Sequence, residues 1–276
     1  MKPAAFDFLR PDSLEEALEA LARFGADARV IAGGQSLVPM LNMRLARPAV
    51  LIDIMRLDAL RSIREEGAEI VVGAGVRQAA LEAWPQLAEK LPLLAKVIGW
   101  VGHVQTRARG TVCGSIAHAD PSAELPLSLM ALGGWVRLRG KRKARSVPAS
   151  DFFVGMMTTA IAEGEMIEAV SFPLAASGTG FAFREIGRRH GDFAIVACVA
   201  VADAAGTRLA IAGVDDQPRC FAVPTGDGDA LDDALNDIAW SLNARDDLHA
   251  SARYRRELVR RLGRETITEA RAACRS

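Results

Sequence analysis

Apolar residues recur at helical spacing from Leu14 through Ala17, Leu18 and Leu21, with Ser13 three residues ahead of Glu16 and Gly25 closing the run. This pattern predicts a capped helix over residues 13–24. Short β-type runs follow at Val30 to Ala32, Val50 to Ile54 and Ile70 to Val72, each bounded by turn residues. Helical spacing resumes at Val76 to Ala83 and Leu87 to Ile98. Strands alternating with helices over the first third predict an α/β arrangement. Residues 99–124 are rich in glycine and polar side chains and show neither period, which predicts a long loop of the kind that usually carries function. Gly134 to Leu138 and Met166 to Phe172 read as later strands.

A change in character comes at Ala175-Ala176-Ser177-Gly178-Thr179-Gly180, whose small residues mark a linker or tight turn. Beyond it, Phe181 to Ile186, Phe193 to Ala202 and Leu209 to Val214 predict an antiparallel meander, and residues 228–244 and 251–262 predict two helices. Strands followed by helices indicate a second domain of α+β type, so the boundary is expected between residues 175 and 176.

Composition narrows the class. The 276 residues are 50% apolar and 25% charged, which fits about two domains and excludes disorder, collagen and a disulfide-stapled miniprotein. Thirty-four basic side chains balance thirty-four acidic ones, so the basic excess of a dedicated nucleic-acid binder is missing. No apolar run suits a signal-peptide core or a membrane span, and a cytoplasmic protein is expected. Cys113, Cys198, Cys220 and Cys274 lie far apart, as do His103, His118, His190 and His249, which argues against a metal or iron–sulfur centre held by this chain alone.

Two nucleotide signatures nearly occur. Gly73-Ala74-Gly75 follows a strand and precedes a helix, but Gln78 occupies the third glycine position of a dinucleotide fingerprint. Gly134 to Arg142 has five residues between its glycines instead of four, with Arg142 where a P-loop needs Ser or Thr. The basic run Arg137, Arg139, Lys141, Arg142, Lys143 and Arg145 surrounds Gly140 and reads as a solvated hairpin, with an anion or protein-contact patch as the alternative. The Arg-rich stretch 253–264 reads as the exposed face of a helix.

Two segments carry more chemistry. In Val30-Ile31-Ala32-Gly33-Gly34-Gln35-Ser36-Leu37 a strand runs into a Gly-Gly pair, where bare backbone lets successive N–H groups converge on a phosphate oxygen, although a simple turn is the equal alternative. The stretch from Arg109 to Pro126 gathers Gly110, Thr111, Gly114, Ser115, Asp120 and Glu124. Backbone donors, hydroxyls and two carboxylates suit a phosphorylated, polyhydroxylated ligand.

Taken together, AGGQS at 32–36 and TVCGSIAHADPSAELP from Thr111 resemble the FAD-binding medium subunit of the molybdenum hydroxylases, the family of bacterial carbon monoxide dehydrogenase and xanthine dehydrogenase. The resemblance covers essentially the whole chain, from the opening Phe6-Asp7-Phe8 with Arg10-Pro11 onward. Here Gln35 replaces the histidine of some members, and Cys113 stands where many have glycine.

The resemblance implies an α+β architecture: an FAD-binding domain of the vanillyl-alcohol-oxidase (PCMH) type over residues 1–175, with small α/β subdomains near 1–57 and 58–175, then an antiparallel-sheet and helix domain over 176–276. It implies that Val30, Ile31, Ala32, Gly33, Gly34, Gln35, Ser36 and Leu37, with Thr111, Cys113, Gly114 and Ser115, wrap the pyrophosphate and ribityl parts of FAD, with Arg29 flanking. Glu124, assisted by Asp120, would accept hydrogen bonds from cofactor hydroxyls, and Val101 would line the cofactor. The segment from Arg184 to Ile195 resembles the loop that reaches over the isoalloxazine, with Asp192 near the ring, Phe193 shielding one face and Arg184 at the pyrimidine end. Met166 or Ile167 would face the dimethylbenzene side. The family also implies molybdopterin and [2Fe-2S] clusters in a large and a small partner subunit, assembled as a dimer of heterotrimers. A stand-alone flavoenzyme of this fold and a scaffold without cofactor remain as alternatives.

Overall fold

The computed structural model describes residues 2–274. Its first unit is β1 (Asp7–Leu9), α1 (Leu14–Phe24), β2 (Ala28–Ile31), α2 (Leu37–Asn42) and β3 (Val50–Asp53), with the strands forming a parallel sheet in the order β1-β3-β2. The capping pair works in both directions: Glu16 N–H donates to Ser13 Oγ at 3.1 Å, and Asp12 N–H donates to the Glu16 carboxylate at 2.8 Å. That pair fixes the start of α1, whose buried stripe is Ala17, Leu18 and Leu21.

The second unit is antiparallel. It comprises β4 (Ile63–Glu66), β5 (Glu69–Gly73), α3 (Gln78–Glu82), α4 (Leu87–Lys90), α5 (Pro92–Val97), α6 (Val104–Arg109), α7 (Val112–His118), α8 (Glu124–Leu132), β6 (Trp135–Gly140), β7 (Ala144–Pro148), α9 (Ala149–Phe152), β8 (Phe153–Gly155), β9 (Thr158–Thr159) and β10 (Glu165–Pro173). Five strands form one sheet in the order β4-β5-β10-β6-β7. α1 packs on both sheets, so residues from Ala17 to Phe172 share one core.

The stretch 99–124, expected as loop, instead contains α6 and α7. Each is under two full turns, too short to show a period in sequence, and each is held from outside. Arg107 is buried on α6, bonded to Glu82 and to the carbonyls of Val101 and Gly102. Val112 N–H donates to Val76 O at 3.0 Å. The expected helix 87–98 is broken at Leu91, because Pro92 restarts it.

The third unit is the meander β11 (Gly180–Ile186), β12 (Val196–Asp203), β13 (Gly206–Ala212) and β14 (Arg219–Val223), backed by α10 (Asp229–Ser241) and α11 (Ala252–Cys274). β12 is apolar from Val196 to Ala202 because it is covered on both faces. Val196, Cys198, Ala200 and Ala202 meet α10 and α11, while Ala197, Val199 and Val201 meet Leu93 and Val97 of α5 and Leu127 and Ala131 of α8. Two positions differ from expectation. Phe193 lies outside β12 and is exposed, and α11 runs on past 262 through Gly263, where a larger side chain would meet Leu235 and Leu209.

The basic run at 137–145 is the β6–β7 hairpin, much of it paired: Arg137 with Glu66 and Glu69, Lys141 with Glu19, Arg145 with Glu165. No described helix is long and apolar enough to cross a membrane.

Candidate functional site

A cavity of about 1070 Å³ runs between the parallel sheet, the α6–α7 region and the β8–β10 region, and reaches the 187–193 turn of the third unit. Its volume slightly exceeds the roughly 300–1,000 Å³ typical of small-molecule pockets, which suits an elongated dinucleotide.

The two glycine segments meet at its wall. A Cβ built on Gly33 would stand 2.7 Å from Gly110 Cα and closer still to the Arg109 carbonyl, so only glycine allows that approach. Gly34 has φ +73°, the left-handed region, and its carbonyl accepts from Val38 N–H at 3.0 Å as α2 begins. Among the described residues, the backbone N–H groups of Gly33, Gly34, Gln35 and Ser36 donate to no protein acceptor. Neither the Ser36 nor the Ser115 hydroxyl has a hydrogen-bond partner there. Four main-chain donors at one concave surface, bordered by a glycine contact that a Cβ would close, fit a diphosphate.

Thr111 caps α7, its Oγ1 accepting from Gly114 N–H at 3.0 Å, which leaves the hydroxyl proton for a ligand. Cys113 is an ordinary helical residue without positive φ. Its Sγ donates to Val72 O at 3.4 Å, and burial pushes the thiol up to about 12, so it stays neutral and fills space where a glycine would leave a gap.

Beyond α7, burial also pushes the Glu124 carboxyl up to about 8, with the charges of Glu185 and Asp120 adding to the shift. Burial raises Asp120 as well, against the bond it accepts from Ser122 N–H at 2.9 Å. Glu124 is therefore protonated at neutral pH. It can donate one hydrogen bond as well as accept, and it places no negative charge beside a phosphate. Of the side chains on the cavity wall, Arg29 brings the one arginine charge, and its Nη1 donates to the carbonyls of Ala26 and Ala28.

Most of the residues singled out in sequence line this cavity: Arg29, Val30, residues 32–37, Val101, Thr111, Cys113, Gly114, Ser115, Asp120, Glu124, Met166, Ile167 and Phe193. Three do not. Ile31 lies within β2 and belongs to the sheet. Arg184 lies off the cavity wall and pairs on α11 with Glu265 at 3.4 Å and Glu269 at 3.1 Å. Asp192 pairs with Arg188 at 3.3 Å, leaving its neighbours Gly191 and Phe193 on the wall.

Sequence reasoning did not single out Gln78, Met40, Met43 and Leu45, or residues 161–165, all of which also line the cavity. Gln78 was visible only as a misfit to a different motif. The others reach the wall through tertiary packing and had no local signal. Met43, Leu45, Met157 and Phe193, each at least half exposed, form an apolar rim at the mouth.

Residues 4–175 match the family described as the FAD binding domain in molybdopterin dehydrogenase. The 6-hydroxypseudooxynicotine dehydrogenase complex subunit alpha of Paenarthrobacter nicotinovorans is 38% identical, with 98% of this chain and 96% of that protein covered. The carbon monoxide dehydrogenase medium chain of Hydrogenophaga pseudoflava is 38% identical over 76% of this chain and 73% of its own. Among solved structures, carbon monoxide dehydrogenase from Hydrogenophaga pseudoflava superposes with a TM-score of 0.94 at 32% identity, covering 99% of this chain and all of that one. Quinoline 2-oxidoreductase from Pseudomonas putida 86 gives 0.91 at 33% identity, again covering 99% and 100%.

Proposed function

This chain belongs to the FAD-binding family of the molybdopterin dehydrogenases, and from that premise we propose that it relays electrons from iron–sulfur clusters of a partner subunit, through FAD, to an external acceptor. It is a medium, FAD-binding subunit of a molybdenum-dependent dehydrogenase. The observation that carries the reading is the convergence of Gly33 on Gly110 beside four unpaired main-chain donors.

In this reading residues 1–175, with subdomains near 1–57 and 58–175, hold the cofactor and residues 176–276 close over it. The N–H groups of residues 33–36 and the Ser36 hydroxyl bind the diphosphate, while Thr111 shapes the α7 turn that faces it. Neutral Glu124 exchanges hydrogen bonds with cofactor hydroxyls, and Asp120 assists it as an acceptor. Val101, Met166 and Ile167 exclude water from the apolar wall, and Phe193 at the rim controls approach to the ring. When bound, FAD supplies the redox chemistry itself, so the chain has to orient it and control access rather than provide acid–base groups.

Among the described residues no three His, Cys, Asp or Glu side chains stand close enough to hold a metal ion. By likeness to relatives named as subunits of larger complexes, the proposal puts molybdopterin in a large partner and [2Fe-2S] clusters in a small one, as a dimer of heterotrimers in the cytoplasm. Four free cysteines are in keeping with a reducing compartment.

The test is to purify the chain alone and with its copurifying polypeptides. The chain alone should show flavin absorbance yet turn over no organic substrate, and substrate should reduce the flavin only in the complex. Turnover by the isolated chain would favour a self-contained flavoenzyme. A colourless chain that FAD cannot reconstitute would contradict the reading outright.

A further inference from the structure

Gln78 opens α3 and is 4% exposed, in the wall of the cavity. It is tied twice to the second glycine segment. Its backbone N–H donates to Gly110 O at 2.8 Å, and Nε2 donates to Thr111 O at 3.4 Å. The second bond fixes the carboxamide, because a half-turn would set Oε1 against the Thr111 carbonyl, acceptor facing acceptor. Oε1 is thereby left buried with no hydrogen-bond partner. It lies beside Gly110, where an added Cβ would stand 3.0 Å from it, and Gly110 is the residue against which Gly33 packs.

An amide oxygen held at that junction cannot serve a phosphate, which also only accepts. It requires an O–H or N–H donor, and leaving it unpaired carries its full desolvation penalty. α3 packs on α6 and on the turn Ile98–Trp100 that leads into Val101, the end of the cavity shared with Gly102, Gly191 and Phe193. Resting on the FAD reading above, we propose that Gln78 Oε1 accepts a hydrogen bond from a ribityl hydroxyl, the donor that follows the diphosphate on the flavin side. Gln78 is then a ligand-binding residue as well as the brace of the Thr111 turn.

The full chain, stripped of flavin, is titrated separately with FAD and with ADP, which has the diphosphate and adenosine but no ribityl chain. Wild type should bind both. Gln78→Met, of similar length with no amide, should raise the Kd for FAD about threefold to tenfold, the worth of one neutral hydrogen bond, and leave that for ADP within about twofold. Gln78→His, which retains one donor and one acceptor, should return the ratio of the two Kd values toward wild type and serves if the Met variant folds poorly. Equal weakening of FAD and ADP overturns the proposal, because Gln78 then acts only through the turn. Unchanged FAD affinity overturns it too, since Oε1 then makes no bond to the cofactor. A wild-type chain that binds neither nucleotide sinks the FAD reading itself, a result distinct from both.

Discussion

Gly33 and Gly110, seventy-seven positions apart, touch backbone to backbone, with no room between them for even a methyl group. That contact makes one site of two segments. Gly33→Ala should force the Arg109–Gly110 backbone away, costing about 1–3 kcal/mol of stability and most of the bound flavin. The ratio of flavin absorbance to protein absorbance and a urea midpoint check both halves. Full flavin content in a folded variant would mean that the junction does not shape the site.

Gly34 fails differently. An added Cβ would press on Val38 Cγ2 at 3.1 Å, and φ +73° penalises any β-branched residue there, so Gly34→Val should cost about 1–2 kcal/mol and empty the site. Gly67, with φ +61° and open space around it, is the control. Gly67→Ala should show a comparable loss in the urea midpoint and keep its flavin.

Glu124 links burial to pH. Its carboxyl titrates near 8 in the fold and in the ordinary glutamate range when unfolded, so the folded state binds the extra proton between those values. The contribution of Glu124 to the stability of the flavin-free chain is therefore fully present below the ordinary glutamate range and declines as pH rises toward 8, by at most about 1.4 kcal/mol per unit. Glu124→Gln should flatten the decline measured by urea unfolding at pH 5 and pH 8. A residual slope is expected from Glu185, raised to about 7 by burial. Parallel profiles for variant and wild type would contradict the assignment.

Phe193 is 57% exposed at the cavity rim, so Phe193→Ala should change stability by no more than about 0.5 kcal/mol and leave flavin content intact. Its effect belongs in the rate at which external acceptors reoxidise the reduced protein, followed by stopped-flow absorbance. An unchanged rate would remove Phe193 from the control of access.

Legibility in the sequence followed the range of the forces involved. α1 was readable to within a residue because its cap and its apolar stripe are both local; β12 was readable as a strand because its two buried faces write a continuous apolar run, although it starts three residues after the expected Phe193. β1 was not readable: it has three residues, two of them exposed, and exists because β3 pairs with it. α6 and α7 were hidden for a similar reason, since Arg107 and the Val112–Val76 bond stabilise them from outside. The glycine segments were legible as motifs, but their meeting at Gly33 and Gly110 was not. The ion pairs of Arg184 with Glu265 and Glu269 were not legible either, because those partners lie some eighty residues on, in α11.

Amide hydrogen exchange, read residue by residue in the flavin-stripped and the FAD-loaded chain, tests the shared grip most directly. The N–H groups of Gly33, Gly34, Gln35 and Ser36 should exchange rapidly without cofactor and become protected once it is bound, while the already paired N–H groups of Val112, Gly114 and Ser115 slow further. Protection of one segment while the other exchanges as before would contradict the account.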